Sequence, residues 1–258
     1  MTSGRSTELE SKMETTLQAR ADVQRSRERA YFDHGWLQTY HSFSFADYYD
    51  PANEHWGALR VFNDDVIAPG RGFGTHPHRD MEILTYVLDG ELEHRDSMGN
   101  IGVVRPGGVQ YVSAGTGIAH SEFNHSADKP VRLVQMWVVP RASGLAPQYG
   151  QIDYTLEERR NRWLAIASGQ TGVEARIVLW QDATAYVARL EGGSLTHDLA
   201  PDRFAFLFVA DGAVAANGKD LGGGDALRVE GPGSIDVRGS GELVLWDVPS
   251  LDAPRQPQ

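Results

Sequence analysis

The chain has 258 residues, 41% apolar and 23% charged, with 28 glycines, 12 prolines and no cysteine. That length suits one large β domain or two ordinary ones, and the glycine and proline content favours a turn-rich β fold. A formal charge of −11 opposes binding to a phosphate backbone, and the lack of thiols excludes disulfides, thiolate zinc sites and iron–sulfur clusters.

Residues 1–28 read as a polar extension of mixed charge, outside the core. Leu9, Met13 and Leu17 recur at i, i+4, a thin helical stripe too sparse to anchor a helix alone. This opening lacks the apolar core of a signal peptide, and no run of 18 apolar residues follows. A cytoplasmic protein with no membrane or nucleic-acid partner is expected.

From Ala30 the character changes. "WLQTYHSFSFADYYD" suits strand and packed loop, and "ALRVFNDDVIAPGRGFGTHPH" carries a strand and then a Gly/Pro-rich turn. "MEILTYVLDGELEHRDSMGN" reads as a hairpin turning at Asp89-Gly90, and "GVVRPGGVQYVSAGTG" as a strand pair around a Pro-Gly turn. "VRLVQMWVVP" is a buried strand closed by Pro140. Residues 141–162 form a linker in which Thr155 and Glu158 make a capping-box pattern for one short helix.

The second half, 163–258, echoes the first, 29–140. The strand–Asp-Gly–strand unit recurs at Asp211-Gly212. "GGGDALRVEGPGSIDV" parallels "RPGGVQYVSAGTGIAH", and "ELVLWDVP" parallels "RLVQMWVVP". The expected fold class is all-β, two barrels or sandwiches in tandem.

The chemistry centres on "GTHPHRDMEI". In a strand, residues i and i+2 share a face, so His76 and His78 project side by side, roughly 6–7 Å apart. Pro77 cannot donate to a ladder, which places the pair at an edge, a bulge or a strand end. "GTGIAHSEFNHS" repeats the spacing with His120 and Glu122. Two such pairs on neighbouring strands offer three imidazoles and one carboxylate. That set suits Fe(II), Ni(II), Mn(II), Cu(II) or Zn(II), with Co(II) also admitted. His125 reads as exposed, and His94 as a surface or hydrogen-bonding residue near a turn. His34, His41 and His55 lack an i+2 partner of ligand type, and His197 stands alone. Phe73, Ile118 and Phe123 are candidates for either the pocket lining or plain core.

"THPHRDMEILTYVLDGELEHRDSMGN" and "SAGTGIAHSEFN" resemble the pirin family, and especially its bacterial members of quercetin 2,3-dioxygenase type. The likeness is dense from about Ala30 to Trp163 and thins to an architectural echo beyond. It implies a bicupin, two tandem jelly-roll-like cupin barrels, with one metal ion, usually iron, in the N-terminal barrel. By motif match it implies His76, His78, His120 and Glu122 as ligands, leaves Glu82 as a carboxylate behind the ligands, and gives the C-terminal barrel no metal. It further implies a small phenolic substrate of flavonol type and O₂, with Glu122 the candidate base for the substrate hydroxyl. A metal-binding, redox-responsive regulator with a protein partner and little turnover fits the same residues, as does a cupin isomerase or zinc hydrolase.

Overall fold

Short β-branched, aromatic and apolar runs, punctuated by glycine and proline, become strands throughout the computed structural model, which describes residues 20–251. The first twelve are β1 (Arg20–Gln24), β2 (Ala30–Asp33), β3 (Leu37–His41), β4 (Leu59–Ile67), β5 (Gly72–His78), β6 (Glu82–Asp89), β7 (Leu92–Asp96), β8 (Ile101–Val104), β9 (Gly108–Ser113), β10 (Ile118–Asn124), β11 (Val131–Val138) and β12 (Gln148–Asp153). A short helix follows, α1 (Leu156–Arg159). Then come β13 (Leu164–Ser168), β14 (Ile177–Val178), β15 (Thr184–Leu199), β16 (Arg203–Ala216), β17 (Lys219–Gly222), β18 (Ala226–Glu230) and β19 (Gly233–Pro249). The helix starts on the expected capping box: the Thr155 hydroxyl accepts from the Glu158 amide, and the Glu158 carboxylate accepts from the Thr155 amide.

The N-terminal half closes from two sheets. One has the order β12-β9-β6-β11-β4-β3-β2, the other β5-β10-β7-β8. The C-terminal half is a single eight-stranded sheet, β1-β18-β16-β19-β15-β13-β14, with β17 on β16. Its three long strands run 16, 14 and 17 residues and shift register midway. Such shifts let one strand bend from one barrel wall into the other. The chain is thus all-β, two barrels in tandem.

Four local readings differ from the structure. The strands on either side of Pro106-Gly107, β8 and β9, do not pair but belong to different sheets. The expected linker 141–162 contains β12, which pairs with β9 and extends the N-terminal sheet. Asp89-Gly90 closes no hairpin, because β6 pairs with β9 and β11 whereas β7 pairs with β10 and β8. The dipeptide is the corner where the chain leaves one sheet for the other. Gly90 has φ +79°, and a Cβ there would lie 2.6 Å from the Pro130 carbonyl oxygen. Asp211-Gly212 marks the matching corner as a register shift inside the continuous β16. Corner and hairpin ask for the same left-handed residue, so turn chemistry alone does not separate them.

The last difference is at the start. Within the expected extension 1–28, Arg20–Gln24 forms β1 and pairs with β18 of the C-terminal barrel. Ala21 and Val23 pack on that barrel's core. Just beyond, the Arg25 guanidinium and the Ser26 amide each donate to Asp225 at 2.8 Å. Five residues of alternation interleaved with charge are too short a signal to read as strand. Leu9, Met13 and Leu17 lie outside the described residues.

The largest apolar cluster lies between the barrels. Phe62, Leu84, Tyr86 and Met136 of the seven-stranded sheet meet Phe206, Phe208 and Trp246 of the C-terminal sheet. Period-2 alternation sends their neighbours the other way. Ile83 and Val87 pack in clusters of the N-terminal barrel, and Asn63, Asp65 and Gln135 line a cavity there.

Glu82 shares the interface face with Leu84 and Tyr86. Its carboxylate accepts from the Trp180 and Gln181 amides, both at 2.8 Å, and from the Tyr111 hydroxyl at 2.7 Å. Glu82 is therefore a tie between the barrels, not a carboxylate behind metal ligands. Glu82→Ala would leave two amides and a hydroxyl without an acceptor. It should destabilise the protein by about 2–4 kcal/mol in urea unfolding; a change under about 0.5 kcal/mol would mean that the tie contributes nothing.

Candidate metal centre

β5 is an edge strand, paired only with β10, so the missing N–H of Pro77 costs no ladder bond. In the β5–β10 register His76 stands opposite His120, and His78 opposite Ile118. The register then slips by a bulge between His120 and Glu122. His76, His78 and His120 converge, their ring centroids 4.6–4.8 Å apart. Their ligand atoms all lie within 4.8 Å of one another.

The ring chemistry fits a divalent ion. His76 Nδ1 is 2.8 Å from the Gly74 carbonyl, which can only accept, so Nδ1 carries the hydrogen and Nε2 keeps its lone pair. His76 Nε2 and His120 Nε2 are 3.1 Å apart. Two nitrogen ligands at right angles on one ion, with bonds of about 2.1 Å, would be about 3.0 Å apart. Burial, then the neighbouring His120 and His76, push the His78 ring down to about 4. Burial likewise lowers His120. Both rings are thus neutral near pH 7, the form that ligates.

Glu122 faces the same cavity but is held by amides. Its Oε1 accepts from Gln110 Nε2 at 2.6 Å, and its Oε2 from Gln135 Nε2 at 2.8 Å. The Gln135 carbonyl in turn accepts from Trp137 Nε1 at 3.1 Å, which fixes the amide's orientation. Glu122 joins the imidazoles through His120, in a second grouping that includes His94. The four expected residues therefore fall into two overlapping triads that share His120.

His94 is buried, with no surface role. Its Nε2 pairs with Asp96 Oδ2 at 3.1 Å, and its ring stacks on Tyr149 at 4.4 Å. It stands directly opposite Glu122 across the β7–β10 ladder. The turn sequence after it suggested exposure; the His94/Asp96 i, i+2 pair was the signal available.

His76 and His78 open onto a cavity of about 190 Å³. Phe45, Phe73 and Trp137 form its aromatic sides, and Thr39, His41, Asn63 and Asp65 its polar floor. Of the three apolar candidates only Phe73 reaches it. Ile118 packs with Ile83 and Val112, and Phe123 is 37% exposed. His41 has no sequence partner, yet the β3–β4 register brings it there. The other histidines lie elsewhere: His55 on the Gly57 carbonyl, His125 on Glu93 and His197 on Asp247. Among the described residues, both metal-type groupings belong to the N-terminal barrel.

Comparison with known proteins gives the same two-part picture. Residues 21–138 match the Pirin family, and residues 170–246 match the quercetinase C-terminal cupin domain family. A quercetin 2,3-dioxygenase from Escherichia coli K12 is 41% identical over 89% of this chain and 99% of its own. A pirin-like protein from Caulobacter vibrioides is 42% identical over 83% of this chain and 94% of its own. The crystal structure of YhhW from Escherichia coli superposes with a TM-score of 0.84, at 39% identity, covering 90% of this chain and 98% of that one. Bacterial pirin YhhW in complex with nickel(II) gives 0.83 at 38% identity, covering 90% and 100%.

Asp65 carries a pH signature. Its carboxyl is pushed up to about 7, first by burial, with the nearby Asp64 and Glu122 carboxylates adding to the shift and Thr39 opposing it. In the unfolded chain it ionises near the ordinary value of 3.8. Between those values the folded state binds the extra proton. The stability this gives is full below pH 4 and is lost as pH rises through 7. Asp65→Asn removes the penalty. It should stabilise metal-free protein at pH 8 by a few kcal/mol, on the order of the shift, with the gain shrinking toward pH 4 in urea titrations. A gain that does not vary with pH would mean that Asp65 keeps an ordinary carboxyl.

Proposed function

Because the chain belongs to the pirin family, we propose that its N-terminal barrel holds one divalent transition ion, Fe(II) in our reading, and cleaves a flavonol-type phenol with O₂. The observation that carries this is the convergence of three imidazoles beside an aromatic-lined cavity. The Escherichia coli relative named a quercetin 2,3-dioxygenase and the nickel(II) complex of bacterial pirin support it. Ni, Mn, Co, Cu and Zn share the donor chemistry and remain arms of the test. No helix among the described residues is long and apolar enough to cross a membrane. A cytoplasmic location, with a small phenol and not nucleic acid as partner, belongs to the same reading.

In this reading His76, His78 and His120 are ligands, and Glu122 is the carboxylate ligand and the group that takes the substrate's hydroxyl proton. A bound ion supplies Lewis-acid stabilisation of the phenolate and open positions for oxygen chemistry. The chain's own residues do the rest. The Gly74 carbonyl locks the His76 tautomer. Gln110 and Gln135 hold Glu122 in place, each on one oxygen, which leaves each oxygen a second lone pair for an ion or a proton. Phe45, Phe73 and Trp137 bury the ring of the substrate and keep water from it; Trp137 stands edge-on to His78 at 4.9 Å.

Two experiments test it. Protein loaded with Fe(II), or with each alternative ion, is mixed with quercetin in an oxygen electrode. Uptake of one O₂ per flavonol lost is expected; metal-bound protein that consumes none with any ion removes the dioxygenase and leaves the regulatory reading. Metal analysis then checks the ligands. His76→Ala and His120→Ala should each weaken metal binding by at least 10–100-fold, roughly the range that even outer-shell changes reach. His94→Phe and His197→Ala should retain full metal. Full retention by His76→Ala with loss in His94→Phe would move the site to the His94–His120–Glu122 triad.

A further inference from the structure

The floor of the cavity is a quartet of polar side chains drawn from two adjacent strands. In the antiparallel β3–β4 register Thr39 faces Asp65, and His41 faces Asn63. Each pair member is two residues from the next along its strand, so all four share one face. They are 2–5% exposed. All four line the cavity; His41 Nδ1 and Asn63 Oδ1 have no protein hydrogen-bond partner, and Thr39 and Asp65 have only each other across the strand pair. Buried polar groups are nearly always satisfied, so a row of under-satisfied side chains on one face of one cavity points to a ligand.

The chemistry of the floor selects that ligand. The Asp65 and Asn63 oxygens accept hydrogen bonds, Thr39 and His41 can do so, and Glu122 adds a carboxylate at the metal end. No arginine or lysine lines the cavity. A carboxylated or sulfated ligand would meet further acceptors and no cation, whereas neutral hydroxyl donors would meet acceptors. The sides are aromatic, with Phe45 edge-on to Trp137 at 5.3 Å. That pair packs together as one aromatic wall, against which a flat ring can lie.

We propose that this floor recognises hydroxyl groups on the pendant ring of a neutral polyphenol, the ring remote from the metal-binding hydroxyl, and that Asp65 and Asn63 determine this specificity. The substrate's hydroxyls donate to the Asp65 carboxyl and the Asn63 amide oxygen, while the wall formed by Phe45 and Trp137 lies along the ring. The inference rests on the proposed function only for the orientation of the ligand, metal-binding group toward the imidazoles.

The test pairs Asp65→Leu and Asn63→Leu, both close to the native shape and free of a buried unpaired polar atom, with two flavonols. One is quercetin; the other is 3,5,7-trihydroxyflavone, which lacks the pendant-ring hydroxyls. Affinity for metal-loaded protein is measured by calorimetry, with metal content checked in each variant. Wild type should prefer quercetin by roughly tenfold or more. Each variant should weaken quercetin to the level of its analogue and leave the analogue and the metal content unchanged. Equal losses for both flavonols, no loss for either, or no binding of either flavonol to wild type would each overturn the proposal. The dioxygenase reading is judged separately. Hydroxyl-dependent binding without O₂ uptake removes that reading and leaves the floor standing; O₂ uptake with no dependence on Asp65 or Asn63 does the reverse.

Discussion

The seven-stranded sheet is buried on both faces, and that constraint governs the rest of the molecule. A strand must send alternate side chains to opposite sides. On β4, β6 and β11 one set therefore packs between the barrels, with Phe62, Leu84, Tyr86 and Met136 against Phe206, Phe208 and Trp246. The other set points into the N-terminal barrel. Because the interface supplies the apolar burial, the inner set is free to be polar, and Asn63, Asp65, Gln135 and Thr85 all occupy inward positions. A barrel standing alone would need apolar residues there to form a core. Docking on a second barrel thus allows the first to be hollow and wet with polar groups at its centre.

That arrangement also accounts for the electrostatics. Imidazoles and carboxylates brought together out of water lose their charged forms first to desolvation and then to one another. His78, His120 and His41 are held neutral, and Asp65 retains its proton to near neutrality. Glu122 is given two amide donors instead. The outcome is a cluster of lone pairs without an excess of fixed charge, which is the state in which nitrogen donors meet a cation.

What the sequence reveals follows the range of the interactions involved. His76, His78, His120 and Glu122 were legible because i, i+2 spacing on a strand is a local fact, and Pro77 announced an edge. The tandem β architecture was legible in the repeated order of strands and corners. His94, His41, Asp65, Asn63, Gln110 and Gln135 were not. Each has an unremarkable local context and enters the site only through strand register across tens of residues. Asp89-Gly90 misled because a sheet-to-sheet corner and a hairpin need the same backbone conformation. Glu82 misled because one position along a strand decides which face it takes. Its neighbour Ile83 faces the barrel, while Glu82 faces the other half of the chain.

β1 sets a schedule for synthesis. The Ser26 amide and its acceptor Asp225 are 199 residues apart in the chain. At about 5–20 residues per second, roughly 10–40 s pass between their emergence from a ribosome. Throughout that interval Ala21 and Val23 have no sheet to join, although β2 to β12 are already available to assemble. The first segment made is therefore among the last to be placed. The two barrels, for all their tandem order, form one unit that is not divisible at 141–162, because the opening strand laces the finished C-terminal barrel to the start of the N-terminal one.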